Sequence, residues 1–243
     1  MEQRNFIIVA ISVVVLGLSI AFTGVQIANG LQNFRNYERF VTMKGLAQRD
    51  VVADLAIWPI SYTETGNELS ELQNKMEENG SKVVSFLKKN GLTDNEIELR
   101  QVNVQDLMAQ SYRQNFSGSR YILTQSYLVR TNNINAISKA SKELGALIKQ
   151  GVVFSNNEST APTYLFTKLN DFKPDMIAEA TQNAKEGAEQ FAKHSGQDVG
   201  TIKYASQGVF QILPRDETYT VPEAQQINKT VRVVSTIQFY LED

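Results

Sequence analysis

The chain has 243 residues, with 24 lysine and arginine against 26 aspartate and glutamate, one histidine and no cysteine. That inventory excludes thiol nucleophiles, disulfides, zinc–thiolate centres and any multi-histidine metal site within one chain. A net charge of −2 on scattered lysines and arginines offers no phosphate-binding surface, so no nucleic-acid partner is expected.

The first element is the apolar run Phe6–Ala28, FIIVAISVVVLGLSIAFTGVQIA, inside an uncharged stretch bracketed by Arg4 and Arg35. At about 1.5 Å per residue it would form a helix of roughly 34 Å, enough to cross a hydrocarbon core of about 30 Å. A cleaved leader has a shorter apolar region, of about 7 to 15 residues, followed by small residues at the cleavage site. Ser19-Ile20-Ala21 has such residues, but apolar sequence continues past them, and Gln26-Ile27-Ala28 ends the run with a bulky polar residue. The run is therefore expected to be an uncleaved signal anchor, with a cleaved leader or a buried helix as alternatives. Arg4, Glu2, Arg35 and Arg39 are too few and too balanced to fix an orientation. Residues 1–37 are assigned to this anchor and its linker, and residues 38–243 to one soluble domain.

Arg39–Ala47 is β-like, with Val41, Met43 and Gly45 on one side. A strand over Val51–Tyr62 follows, apolar on both faces apart from Asp54. Pro59 cannot donate to a ladder and places the end of that strand at an edge or bulge. Thr65-Gly66-Asn67-Glu68 has capping-box spacing and is expected to open a helix carrying Leu69, Leu72, Met76, Val83 and Leu87. Asn90-Gly91 supplies its stop, and Glu71, Glu77, Glu78, Lys82 and Lys89 form its solvated side. Glu96–Leu107 starts a strand on Ile97 and Leu99, then changes face to Val102 and Val104, so a bulge is expected near Arg100-Gln101.

Tyr121–Thr131 alternates as a strand, and Asn132 or Asn133 caps a second helix with Ile134, Ile137, Leu144, Leu147 and Ile148, ending at Gly151. Short strands are expected at Val152–Phe154 and Thr163–Lys168. Pro174 suits the first turn of a third helix. There Ile177, Ala180, Ala184, Ala188 and Phe191 make a stripe of mostly alanine that lets the helix approach its neighbour closely; His194 and Ser195-Gly196 close it. Val199–Ile212 and Thr230–Leu241 are the last strands, joined by the polar loop Leu213–Ile227. The order ββ-α-ββ-α-ββ-α-ββ, with a split βαβ pattern over Val51–Phe154, predicts an α+β fold. A mainly antiparallel sheet would carry three helices on one face.

Chemistry is sparse. No Walker sequence, dinucleotide-binding glycine pattern or G-x-S-x-G elbow occurs, and no catalytic residue, cofactor or metal site is expected. Gly118 between Ser117 and Ser119 reads as turn chemistry. His194 sits in the last turn of a helix, where the backbone dipole favours a cation, and is read as structural. Asp54 is the acidic residue whose position looks costly; an edge position or a basic partner would account for it. Sequons at Asn115, Asn157 and Asn228 matter only in a host that glycosylates secreted proteins. Tyr112 and Phe116, in the polar loop Gln110–Ser119, and Tyr219, in Leu213–Ile227, are candidates for a partner surface.

Three stretches taken together resemble the SIMPL-domain family of bacterial secreted and periplasmic proteins. They are FVTMKGLAQRDVVADLAIWPISY, YLFTKLNDFKPDMIAEATQNAKEGAEQFAKHSGQDVG and VRVVSTIQFYLED, spanning Arg39 to Leu241. The resemblance implies an α+β envelope domain that tends to form hollow or ring-like homo-oligomers, with roles that include stress tolerance and no catalytic residues to carry over. The chain departs from the family pattern in keeping only Gly45 of a Gly-x-Gly, in having Ala53 where Pro is common, and in its anchor-like N-terminus.

The expectation is a non-enzymatic protein anchored in the bacterial inner membrane by a single pass, its C-terminal domain in the periplasm. It would self-assemble or bind envelope partners. The alternatives are a membrane-tethered chaperone or adaptor for secreted clients, and an enzyme acting through carboxylates such as Asp54 or Asp106.

Overall fold

The computed structural model describes residues 16–27, 39–109, 118–155, 161–218 and 220–242. Residues 16–27 form a helix, α1, whose Leu16, Leu18, Ile20, Phe22, Val25 and Ile27 are all exposed. The remainder of the expected anchor, residues 6–15 and Ala28, lies outside the described residues. Twelve residues reach about 18 Å, and among the described residues no helix is long and apolar enough to cross a membrane.

The fold is α+β with antiparallel sheets. Two sheets replace the single one expected. β1 (Phe40–Val52) and β2 (Leu55–Gly66) are consecutive but belong to different sheets. The reason lies in the two residues between them. The Ala53 amide donates to the Ile227 carbonyl and the Asp54 amide to the Leu165 carbonyl, so neither continues a ladder.

The chain divides into two compact units. One is built from Gln48–Lys173 and Gln211–Arg232, the other from β1 up to Ala47, Pro174–Phe210 and the chain from Val233. In the first, the sheet order is β3-β4-β2-β5, with β3 (Ile97–Asp106), β4 (Tyr121–Thr131) and β5 (Thr163–Leu165). The even-numbered β2 side chains Ala56, Trp58, Ile60 and Tyr62 are buried. They share a core with Leu72, Met76, Val83 and Leu87 of α2 (Leu69–Lys89), Ile137 and Ala140 of α3 (Ile134–Lys142) and Leu147 of α4 (Gly145–Lys149). Three helices thus share one face of this sheet. The expected second helix is two pieces, because Glu143 and Leu144 turn between α3 and α4.

In the other unit the order is β1-β8-β6, with β6 (Asp198–Gln207) and β8 (Asn228–Glu242), while β7 (Gln211–Pro214) pairs with the start of β8 in the first unit. The helix here is α5 (Leu169–Ser195). It begins five residues before Pro174, where the first turn was expected. Pro174 therefore lies inside the helix, where it removes the donor that would meet the Asn170 carbonyl. The buried stripe is Met176, Ala180, Ala184, Ala188 and Ala192, at a strict four-residue step. Ile177 is only half-buried and Phe191 exposed. The close approach expected of the alanines is present at Gly45: a Cβ there would stand 1.8 Å from the Ala180 carbonyl oxygen and 2.6 Å from the Ala184 amide nitrogen. Asn183 Nδ2 then donates to the Leu46 carbonyl at 2.8 Å.

Local signals fared unevenly. The β3 bulge falls between Leu99 and Gln101 as expected. Asn133 caps α3 by accepting from the Ala136 amide at 3.1 Å. Gly91, Gly151 and Gly196 have positive φ just beyond α2, α4 and α5, where a left-handed residue ends a helix. The capping box is misplaced: Thr65 and Gly66 stay in β2, paired with Ile122 and Tyr121, and Glu68 precedes α2 without a side-chain cap. A capping box occurs instead at Thr93 and Glu96. Pro59 lies inside β2 opposite Leu128. It is tolerated because, among the described residues, the other side of β2 pairs only up to Ile57 and again from Tyr62. The strand expected at Val152–Phe154 reduces to one bridge, Tyr62 to Phe154.

Candidate functional site

The two carboxylates singled out in the sequence do not meet. Asp106 pairs across to Tyr121, and Tyr121 to Gly66 at the end of β2, whereas Asp54 precedes the first residue of β2. At about 3.3 Å per residue the length of β2 separates them by roughly 40 Å.

Asp54 is a structural anchor: its carboxylate accepts from the Thr167 amide at 2.6 Å and the Thr167 hydroxyl at 2.7 Å, and Asn132 Nδ2 donates to its carbonyl. Partial burial pushes its pKa up, but the Thr167 hydrogen bonds, with help from Lys168, outweigh that and hold it below the usual aspartate value. The Arg120 guanidinium hydrogen-bonds the Asp106 carboxylate, down to 2.9 Å, and lowers its pKa. His194 is exposed at the end of α5 with Nδ1 2.7 Å from the Gln190 carbonyl. Among the described residues no group of three or more acidic or histidine side chains could hold a metal ion.

Tyr112, Phe116, Tyr219, Asn115 and Asn157 lie outside the described residues. The Leu213–Ile227 loop is more structured than its composition suggested. Gln226 Nε2 donates to the carbonyls of Asp216 and Val221, and the side chain of Lys229, fully buried, donates to the Glu223 carbonyl at 2.7 Å and to its carboxylate.

A large concavity lies between α2 and β3. Helix α2 packs over β2 and β4 and leaves β3, an edge strand, uncovered. Register with β4 puts Leu99, Val102 and Val104 opposite Tyr127, Gln125 and Leu123, on the helix-bearing face. They are 53%, 54% and 49% exposed, although the pattern is that of a buried row. With the flank of α2 they line a groove of about 840 Å³ that includes Leu69, Glu77, Ser81 and Ser85.

A polar network closes the floor of the groove. Tyr62 Oη donates to the Met76 carbonyl at 3.1 Å and its ring stacks on Tyr127. Burial, then the neighbouring Tyr127, pushes the Tyr62 phenol well above its ordinary pKa and keeps it a neutral donor. Gln125 Nε2 donates to Tyr127 Oη at 3.0 Å. Gly80 admits both phenols beneath the helix, since a Cβ there would lie 2.8 Å from each hydroxyl. Gln125 is only 7% exposed, and no buried side-chain nitrogen or oxygen among the described residues is left without a partner. The lining is mainly apolar and small, so the groove can bind an apolar surface.

Comparison with known proteins places the chain. The sequence profile of SIMPL, described as a protein of unknown function (DUF541), matches residues 41–239. The chain belongs to the SIMPL family. None of the curated proteins matches this SIMPL chain. Among solved structures, a hydrolase from Listeria innocua aligns at 10% identity over 80% of this chain and 91% of its own. Its TM-score of 0.20 carries no argument about fold or activity.

Sequence reasoning missed the groove of this SIMPL domain. The alternation in β3 announced one apolar face, but nothing local says that a strand lies at a sheet edge beyond the reach of the helix. The short side chains Gly80, Ser81 and Ser85 on α2 were the available signal.

Proposed function

We propose that this SIMPL protein acts by binding and assembly rather than by catalysis, in the bacterial envelope. Residues 6–28 would hold it at the inner membrane with its folded domain in the periplasm. One observation supports this above the rest: an apolar row on an ordered edge strand lies bare beside a helix, while Asp54 and Asp106 serve in structural contacts. Exposed apolar surface of this kind marks interaction sites in soluble proteins. The length and apolarity of the N-terminal run and the family's exported character support the location.

Crosslinking with mass spectrometry in intact cells is the test. Crosslinks from lysines of the folded domain to other copies or to envelope proteins are expected. Light scattering should give a mass above that of one chain. A strict monomer across micromolar concentrations, with no envelope protein crosslinked, would overturn the reading. Alkaline extraction should leave the chain in the inner-membrane fraction; release into the soluble fraction would remove the anchor from it.

A further inference from the structure

We infer that the α2–β3 groove receives an amphipathic helix from a different protein, one with an aliphatic seam, small residues facing α2 and a basic flank. This rests on the binding role proposed above and names its partner by chemistry.

The first argument is one of layers. A sheet in an α+β domain buries its apolar face under helices. Here α2, α3 and α4 cover β2, β4 and the β5 side, and among the described residues no helix lies over the apolar row of β3. The gap has the dimensions of the missing element. From Leu69 to Ser85 the groove follows α2 for about 24 Å, which is four to five helical turns.

The flank of α2 that faces the gap is suited to another helix. Ser81 and Ser85 are exposed and one turn apart, so an incoming helix can come close to the backbone of α2 there, as helices do at small residues. Leu69 and Val84 on α2 and Leu99, Val102 and Val104 on β3 supply the two apolar walls. At the floor, the Gln125 amide lines the groove beside the apolar walls.

Charge separates the possible occupants. Among the described residues Glu77 is the sole ionisable side chain lining the groove apart from the half-buried phenol of Tyr127. Among them no lysine or arginine lines it, so a fatty acid or an anionic headgroup would find no counter-charge there, whereas a lysine or arginine beside the seam would find Glu77. The bulge between Leu99 and Gln101 interrupts β3 near its start and leaves only Gln101–Asp106 regular, which disfavours a long added strand. A second copy of this chain does not offer the required helix among its described residues. The exposed side of α5 is mostly charged and amidic from Asp175 to Gln190, with Phe191 as its one large apolar side chain rather than a seam, and α1 is apolar without a basic residue.

The test uses the full chain in phospholipid nanodiscs and fluorescent peptides of about 18 residues, long enough to fill the groove. One peptide carries a leucine seam with serines and a lysine flank; a second replaces the lysines by glutamates, and a third scrambles the seam. Saturable binding of the first is expected, with the glutamate version weaker by about three- to tenfold, the scale of one charge contact. Val102→Asp should weaken binding by about tenfold or more, as loss of a central apolar contact does. Glu77→Lys should reverse the order of the first two peptides. Equal binding of the scrambled peptide, or indifference to Val102→Asp, overturns the inference. So does displacement of the peptide by oleate below its micelle concentration, which would make the groove a lipid site. If the peptides fail while in-cell crosslinks at other surfaces persist, the binding role stands and this assignment alone falls.

Discussion

The helices α5 and α2 meet their sheets in opposite ways. On α5 the buried contacts are almost all alanine, and Gly45 lets the backbones of helix and strand nearly touch. On α2 they are Leu72, Met76, Val83, Phe86 and Leu87, with tyrosine hydroxyls under Gly80. The alanine contact leaves no room for a larger group at Gly45. The α2 contact is built from large side chains over β2 and β4, and a groove opens along its flank where β3 lies beyond the helix. The two helices differ in the size of what they bury and in how far their sheets extend past them.

That contrast can be broken first at Gly45. Gly45→Val would drive a side chain into the Ala180 and Ala184 backbone, which cannot yield as a flexible side chain would. A loss of about 3 kcal/mol is expected in chemical denaturation, the upper range for overpacking. A variant that unfolds at the wild-type denaturant concentration would show that the approach is not as close as it appears.

The corresponding change on α2 should be milder. Gly80→Ala meets only the ends of two tyrosines, and alanine favours helix over glycine by up to about 1 kcal/mol. The clash at 2.8 Å is expected to outweigh this by about 1 kcal/mol, because Tyr62 is fully buried and held to the Met76 carbonyl. Adding Tyr127→Phe removes one of the two hydroxyls and should recover part of the loss. A double variant no better than the single would assign the cost elsewhere.

The smallest effect belongs to the groove wall. Val102→Ser removes an exposed methyl pair and should change stability by no more than about 0.5 kcal/mol. A larger loss would mean that β3 is covered in solution by the protein itself.

Helix punctuation was the most legible part of the fold. Asn133, Gly91, Gly151 and Gly196 act through their own backbone and neighbours, so three or four residues carry the whole signal. Spacing also located the α5 stripe, although it chose Ile177 and Phe191 over Met176 and Ala192. The partition into two sheets was not legible, because it depends on Ala53 and Asp54 bonding to Ile227 and Leu165, more than a hundred residues away. Thr65 failed as a cap for a similar reason: its pairing with Ile122 keeps it in a strand. The groove was hidden because exposure at Leu99, Val102 and Val104 is set by where α2 stops covering the sheet.

Lys229 has a consequence for where this chain tolerates being changed. Its ammonium has no contact with water and is matched by the carbonyl and carboxylate of Glu223. The stretch around Pro222–Gln226 therefore cannot lift away without stranding a charge. Polar, proline-containing loops are the customary places to cut a protein open, lengthen it or move its termini. This one reads as such a place and is not: a tag or a protease site put there would act on the core.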